Sequence, residues 1–233
     1  MGQGGGKGVF LFLVLVAVVA VLAGCGGGDE SGGSAHVNED SGSVHGVPLD
    51  EREGTPPPPV KQTDLRKAAE RAKCILFKKL KDEGTEEVAP GSRAVYKSNV
   101  PTSGPYVEPP EQQADGAYML LPEPIDFVGA LNNGRMAIHY APTLREHIQL
   151  EIKGLYDTMY GGTLLFPNEH TTYAVAATTW RAILACTTWH GPYTMDAIRA
   201  FGKETWGKAG GEPVDAFPVS GPTPRDPAEP EAS

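Results

Sequence analysis

Positive charge is scarce in this chain: 20 Lys and Arg stand against 29 Asp and Glu, giving a net charge of −9 and a pI near 5.2. Phosphate recognition depends on a concentrated basic surface that releases counterions, so the deficit excludes a nucleic-acid binder. Cysteine is equally sparse. Its three copies, Cys25, Cys74 and Cys186, form no CxxC pair, which excludes a zinc knuckle and a thioredoxin-type motif. No GxSxG, HExxH, SxxK, Walker or dinucleotide fingerprint is present. No residue is therefore assigned a catalytic, cofactor-binding or metal-binding role, which leans the reading away from an enzyme. The longest apolar run, Val9 to Ala23, has 15 residues, short of the roughly 20 that a membrane-spanning helix needs.

That run follows a glycine-rich start with one charge, Lys7, and is itself followed by Gly24-Cys25 and a GGGDESGG stretch, so it reads as the apolar core of an export signal. Leu22-Ala23-Gly24-Cys25 resembles the lipobox of bacterial lipoprotein precursors, in which the cysteine is lipidated and becomes the first mature residue. The resemblance implies a palmitate-type acyl anchor on Cys25, each buried methylene contributing about 0.8 kcal/mol. The expected location is the extracytoplasmic side of a bacterial cell membrane, within the cell envelope. The alternative is an uncleaved membrane anchor.

Glycine and proline, 29 and 21 residues, are in excess, and much of the excess lies outside the foldable part. The composition divides the chain into a signal peptide at 1–24, a lipidated cysteine with a flexible acidic and proline-rich tether at 25–62, a single domain at 63–207 and a disordered tail at 208–233. The tether includes Pro56-Pro57-Pro58-Pro59, a stiff spacer. Charge is uneven: Lys61 to Lys81 holds eight basic and two acidic residues. Such a helix could bind the acidic tether, face anionic lipid headgroups, or present a solvated face.

Periodicity gives the elements. Thr63 and Asp64 cap a predicted helix with Leu65, Ala69, Ala72, Leu76 and Leu80 on one face. Arg93 to Lys97 and Ala117 to Leu121 are strand candidates, and Arg135 to Tyr140 alternates with Met136, Ile138 and Tyr140 inward. Thr143 and Glu146 form a capping box for a helix with Leu144, Ile148, Ile152, Leu155 and Met159 as its stripe. Thr163 to Phe166 and Thr172 to Trp180 read as a hairpin across Pro167 to His170, and Thr194 caps a last helix reaching Trp206. The order implies an α+β fold: a small antiparallel or mixed sheet with helices packed on one face.

With Cys25 acylated, Cys74 and Cys186 remain, and outside the cytoplasm they would oxidise to a disulfide closing 112 residues. On a continuous helix Cys74 falls on the face opposite the apolar stripe. Either the helix breaks there and Ile75-Leu76-Phe77 starts a strand, or the bond bridges the helix's outer side. The alternative is two free thiols. His147 and Glu151, four apart on one helix, suit a shared metal or a solvated flank, and His139 is placed on the polar side of its strand beside Arg135. Trp180, Trp189 and Trp206, with Tyr173 and Tyr193, suit a glycan-stacking platform or core packing.

The runs Asn99 to Tyr106, Gly116-Ala117-Tyr118, Gly129 to Arg135 and Ile138 to Pro142, followed by Ala176 to Trp180 and Gly211-Glu212-Pro213, carry a resemblance. Together they resemble the bacterial extracytoplasmic family known as domain of unknown function 3105, over about Cys74 to Pro213. In that family the first run usually ends PPTSGPH and the middle one reads HxLEHG, a set that looks like metal ligands. Here those positions hold Tyr106, Gly129, Asn132 and Asn133, and asparagine amides supply neither imidazole nitrogen nor carboxylate charge. Pro101, Ser103, Gly104, Gly134 and Trp180, the turn and packing residues, are kept.

The expectation is a membrane-anchored extracytoplasmic lipoprotein serving as a non-catalytic binding or interaction module, without cofactor. Tyr106, Asn132, Asn133 and Arg135 are its candidate binding residues, and a cell-envelope protein or glycan is its candidate partner. The alternative is a metal-binding protein or metal-dependent enzyme whose ligands have moved to His139, His147 or His170.

Overall fold

A computed structural model describes residues 43–44, 46–108, 111–159 and 161–207. The predicted signal peptide, the predicted lipidation site Cys25 and the predicted tail from 208 lie outside the described residues. Asp64 caps α1 (Leu65–Ala72), its carboxylate accepting the Lys67 N–H at 2.9 Å. Lys73 then enters the left-handed region at φ 55° and closes the helix, and β3 (Cys74–Lys78) begins. The helix break at Cys74 is thus the arrangement found, and Leu76 and Leu80 leave the predicted helical stripe.

The remaining elements are β4 (Gly116–Ala117), α2 (Pro124–Asn132), β5 (Met136–Tyr140), α3 (Glu146–Asp157), β6 (Thr163–Pro167), β7 (Val175–Thr179), β8 (Ala182–Cys186) and α4 (Pro192–Thr205). A two-stranded ribbon, β1 (Ser43–Val44) with β2 (Val47–Pro48), precedes them all. Six strands form a mixed sheet in the order β3-β8-β7-β5-β6-β4, parallel at β5-β6-β4 and antiparallel elsewhere, so the fold is α+β. β5 pairs with both β6 and β7. The predicted β6–β7 hairpin is therefore wrong: β5 lies between its two strands. The hairpin that forms is β7–β8 through Trp180 and Arg181, the latter at φ 59°.

β5 is buried on both faces. Met136, Ile138 and Tyr140 face a cluster built with Leu65, Ala69 and Ala72 of α1, Ile152 and Leu155 of α3, and Ile198 and Phe201 of α4. Ala137 faces the opposite cluster, with Phe127, Val128 and Leu131 of α2. Three helices thus share one face, and α2, which periodicity did not announce, covers part of the other. Of the predicted α3 stripe, Ile148, Ile152 and Leu155 lie on the helix and Leu144 and Met159 join the same cluster from its flanks, while the capping box does not form. Helix α3 starts at Glu146 with no side-chain cap, because Leu144 closes a turn onto Ala141 and Gln149 bonds the Leu144 carbonyl.

The predicted strand at Arg93–Lys97 is a loop. Glu83 draws its backbone away from any ladder by accepting the Lys97 and Ser98 N–H groups at 2.6 and 2.9 Å, and the Tyr96 hydroxyl donates to the Pro105 carbonyl. Of the candidate at Ala117–Leu121 only Ala117 lies in a strand, β4, and Tyr118 forms a single bridge to Leu49. The domain also begins earlier than 63. Residues 46–62 pack onto it as a strap: Asp50 N–H donates to the Ala117 carbonyl, Thr55 N–H to Leu150, and Asp196 accepts from Lys61 and Gln62. The proline run belongs to this strap, since Arg199 donates to the Pro58 carbonyl.

Cys74 and Cys186 stand opposite each other in the β3–β8 register and are joined by a disulfide. Their Cα atoms are 4.2 Å apart, inside the limit of about 7 Å for a bridge. No helix among the described residues is long and apolar enough to cross a membrane.

Candidate functional site

The run Pro101 to Tyr106 folds inward. Ser103 is fully buried and accepts the Glu83 N–H, and the Arg181 N–H donates to the Thr102 carbonyl. Gly104 sits at φ +129°, and a Cβ there would come 2.7 Å from the Tyr96 ring, so the turn requires glycine. Tyr106 then pairs with the Glu86–Val88 segment through two backbone bonds, Tyr106 N–H to the Glu86 carbonyl and Val88 N–H to the Tyr106 carbonyl. Its ring meets Trp180 edge to face at 6.1 Å. Burial raises the Tyr106 phenol above its ordinary pKa, the carboxylates of Glu108 and Glu87 add to the rise, and the Asn132 amide works against it.

Beside Tyr106 opens a cleft of about 360 Å³, lined by Glu87, Val88, Ala89, Pro90, Val107, Glu108 and Glu111. Three carboxylates around one concavity disfavour anions and favour a ligand with a cationic group. Sequence reasoning missed these glutamates. Glu87 lies 19 positions before Tyr106, and only the backbone pairing of the two segments shows that they share a site.

The four candidate binding residues do not form one set. Tyr106 and Asn132 belong together, the Asn132 amide bearing on the Tyr106 phenol, next to the cleft and not in its lining. Asn133, buried, donates from Nδ2 to Gln112 Oε1 at 2.6 Å. Arg135 donates from Nε to Asp115 Oδ1 at 2.7 Å, a mostly buried pair. Burial raises the Asp115 carboxyl above its usual range, and the Arg135 guanidinium offsets part of that rise. Asn133 and Arg135 are therefore internal braces. Within the run Gly129–Arg135, Gly129 to Asn132 are the last residues of α2.

The positions corresponding to the family's ligand-like motif do not fit a metal ion. A Cβ on Gly129 would come 2.2 Å from the Val107 carbonyl oxygen and 3.2 Å from Gln112 Cβ, so the loop has closed over the space a ligand side chain would need. Among the described residues, no group of three His, Cys, Asp or Glu is placed to hold a metal. His139 is fully buried, not on a polar side. Its Nε2 lies 3.1 Å from Thr178 Oγ1 and its Nδ1 3.3 Å from Asn168 Nδ2, between the Phe127 and Phe166 rings. His147 and His170 are exposed on other elements, and Glu151 accepts the Trp189 indole N–H at 2.7 Å. The three tryptophans do not make a platform. Trp180 packs with Tyr106, Trp189 with Glu151, and Trp206 is buried with its indole on the Gly162 carbonyl.

No curated protein and no solved structure matches the chain. The family model described as "Protein of unknown function (DUF3105)" matches residues 87–216, more than half of the 233 residues. That match takes in the cleft from Glu87, the Tyr106 loop, α2 and the sheet from β4 to β8, and on it the chain belongs to the DUF3105 family.

Proposed function

We propose that the protein is a lipid-anchored extracytoplasmic binding module without catalysis, taking a small ligand that carries a cationic group into the cleft beside Tyr106. The observation that carries the binding role is the cleft itself, where Glu87, Glu108 and Glu111 line one concavity and Glu87 and Glu108 also bear on the neighbouring Tyr106 phenol. The anchor rests on the apolar run that ends at Leu22-Ala23-Gly24-Cys25. The disulfide supports an oxidising compartment, where such bonds persist.

Two measurements on the full chain test the reading. In a bacterial host fed radiolabelled palmitate, label enters the wild type and is absent from Cys25→Ser; equal labelling removes the anchor. Thermal shift across a panel of amines, guanidines and matched neutral and anionic analogues gives stabilisation by cationic members alone. Loss of that stabilisation in Glu108→Gln places it at the cleft, whereas no preference for cations ends the binding reading.

A further inference from the structure

We infer that the β3 edge of the sheet is a docking surface for an anionic lipid bilayer, an inference that rests on the lipid anchor proposed above. Strand alternation sends Cys74 and Leu76 toward the helical face and Ile75 and Phe77 to the other. On that other face Ile75 and Phe77 oppose Ala185 and Ile183, which are buried under Val100 and Leu80. The cover stops at β8. Ile75 and Phe77 stay 47% and 53% exposed, two large apolar side chains on an edge strand.

Charge indicates what covers them. In a chain of net charge −9, residues 61–81 hold eight of the 20 basic residues and only two acidic ones. Lys78 is paired with Glu204, and Arg71 lies over the Tyr193 ring. Lys73, at the start of β3, and Lys79 and Lys81, just after it, are exposed and hold no ion pair among the described residues. The neighbouring carboxylate, Asp82, is engaged by Arg181. The other exposed apolar pair, Met119 and Leu120 beside β4, has no basic residue between 98 and 134.

An apolar pair bracketed by lysines matches the boundary of an anionic bilayer, with side chains entering the interface and ammonium groups among the headgroups. A second copy paired edge to edge would set these lysines against each other. The acidic segment 26–42 would match the charge, but its only apolar side chains are Ala35 and Val37. Reach also allows docking. The strap leaves the sheet beside β4, about 24 Å across five strand spacings from β3. The 17 residues between Cys25 and Ser43 extend to about 60 Å at most.

The test is amide hydrogen exchange on the full chain reconstituted with vesicles of phosphatidylcholine alone or with 30% phosphatidylglycerol. A lysine near an anionic surface is worth about fivefold in partitioning, so exchange at 74–81 slows at least about fivefold in the anionic vesicles over the neutral ones. The doubles Phe77→Ser with Ile75→Ser, and Lys79→Glu with Lys81→Glu, abolish the slowing without altering exchange elsewhere. Equal exchange in both vesicles overturns the inference. So does protection in lipid-free detergent that grows with protein concentration, the mark of a second copy, and so does protection in neutral vesicles that vanishes when residues 26–42 are changed to Gly and Ser. Flotation of the chain with neutral vesicles reports the anchor separately, so failure of anchoring and failure of docking are read apart.

Discussion

His139 is the residue whose surroundings depart furthest from its expected place. Burial between two phenylalanine rings pushes its imidazole down to about 3 from the ordinary 6.5, because the charged form loses its hydration. In the unfolded chain the ring binds a proton below about pH 6.5 while the folded ring does not. Stability is therefore complete above that pH and is lost as pH falls from 6.5 toward 3, by about 1.4 kcal/mol per pH unit from this group. Denaturant unfolding at pH 7, 6, 5 and 4 should show this slope, and His139→Gln should reduce it. Strand alternation alone put His139 on the side opposite Met136 and Ile138, which is correct. That side is not solvent, because α2 covers it, and α2 carries no periodic signal in the sequence. Asp50 illustrates the other balance. Burial favours its neutral form, yet the two-point bond from Arg52, 2.9 and 2.7 Å, holds its carboxyl below the usual range.

Helix α3, with one wet face, was legible, as were the buried strands β5, β6 and β7 from their bounding turns and β-branched residues, whereas α2 and β8 were not. Helix α3 alternates apolar and polar residues at helical spacing, and its stripe from Leu144 to Met159 packs as read. Helix α2 buries Ile125, Phe127, Val128, Ala130 and Leu131 and so lacks a polar face to set the period, while β8, Ala-Ile-Leu-Ala-Cys, is buried throughout and does not alternate. The strap was misread because proline richness reports stiffness and says nothing of docking. Its seat is Gly154 on α3, where a Cβ would come 1.8 Å from the Thr55 carbonyl oxygen. Gly154→Ala should lift residues 50–60 and lower stability by about 1 to 3 kcal/mol. Thermal unfolding measures the loss, and faster tryptic cleavage after Arg52 locates it. Cleavage unchanged from the wild type would mean that the strap contributes no closure.

At the scale of the molecule, the Cys74–Cys186 bond ties an edge strand to its neighbour across 112 residues of sequence. In the chain-entropy model this constraint stabilises by about 4 to 5 kcal/mol. Urea unfolding of the Cys74→Ala, Cys186→Ala double variant should show a loss of that order, matched by the wild type under reductant, and a loss below about 1 kcal/mol would assign the stability to the sheet alone. The pairing was readable from cysteine count and the expected compartment, whereas the register that places the two residues opposite each other depends on β8, which no local pattern disclosed. The same bond decides how a pulled chain would yield. Tension entering from the N-terminal side meets the strap first, and its bonds at Pro48, Asp50 and Thr55 lie in series and open one at a time. Beyond α1 the load passes through the disulfide to Cys186 and on to α4, bypassing residues 75–185. The cleft and most of the sheet lie inside that bypassed loop, so once the strap and the Gly207–Gly134 bond have opened, further extension would draw on the two helices outside the loop and spare the cleft.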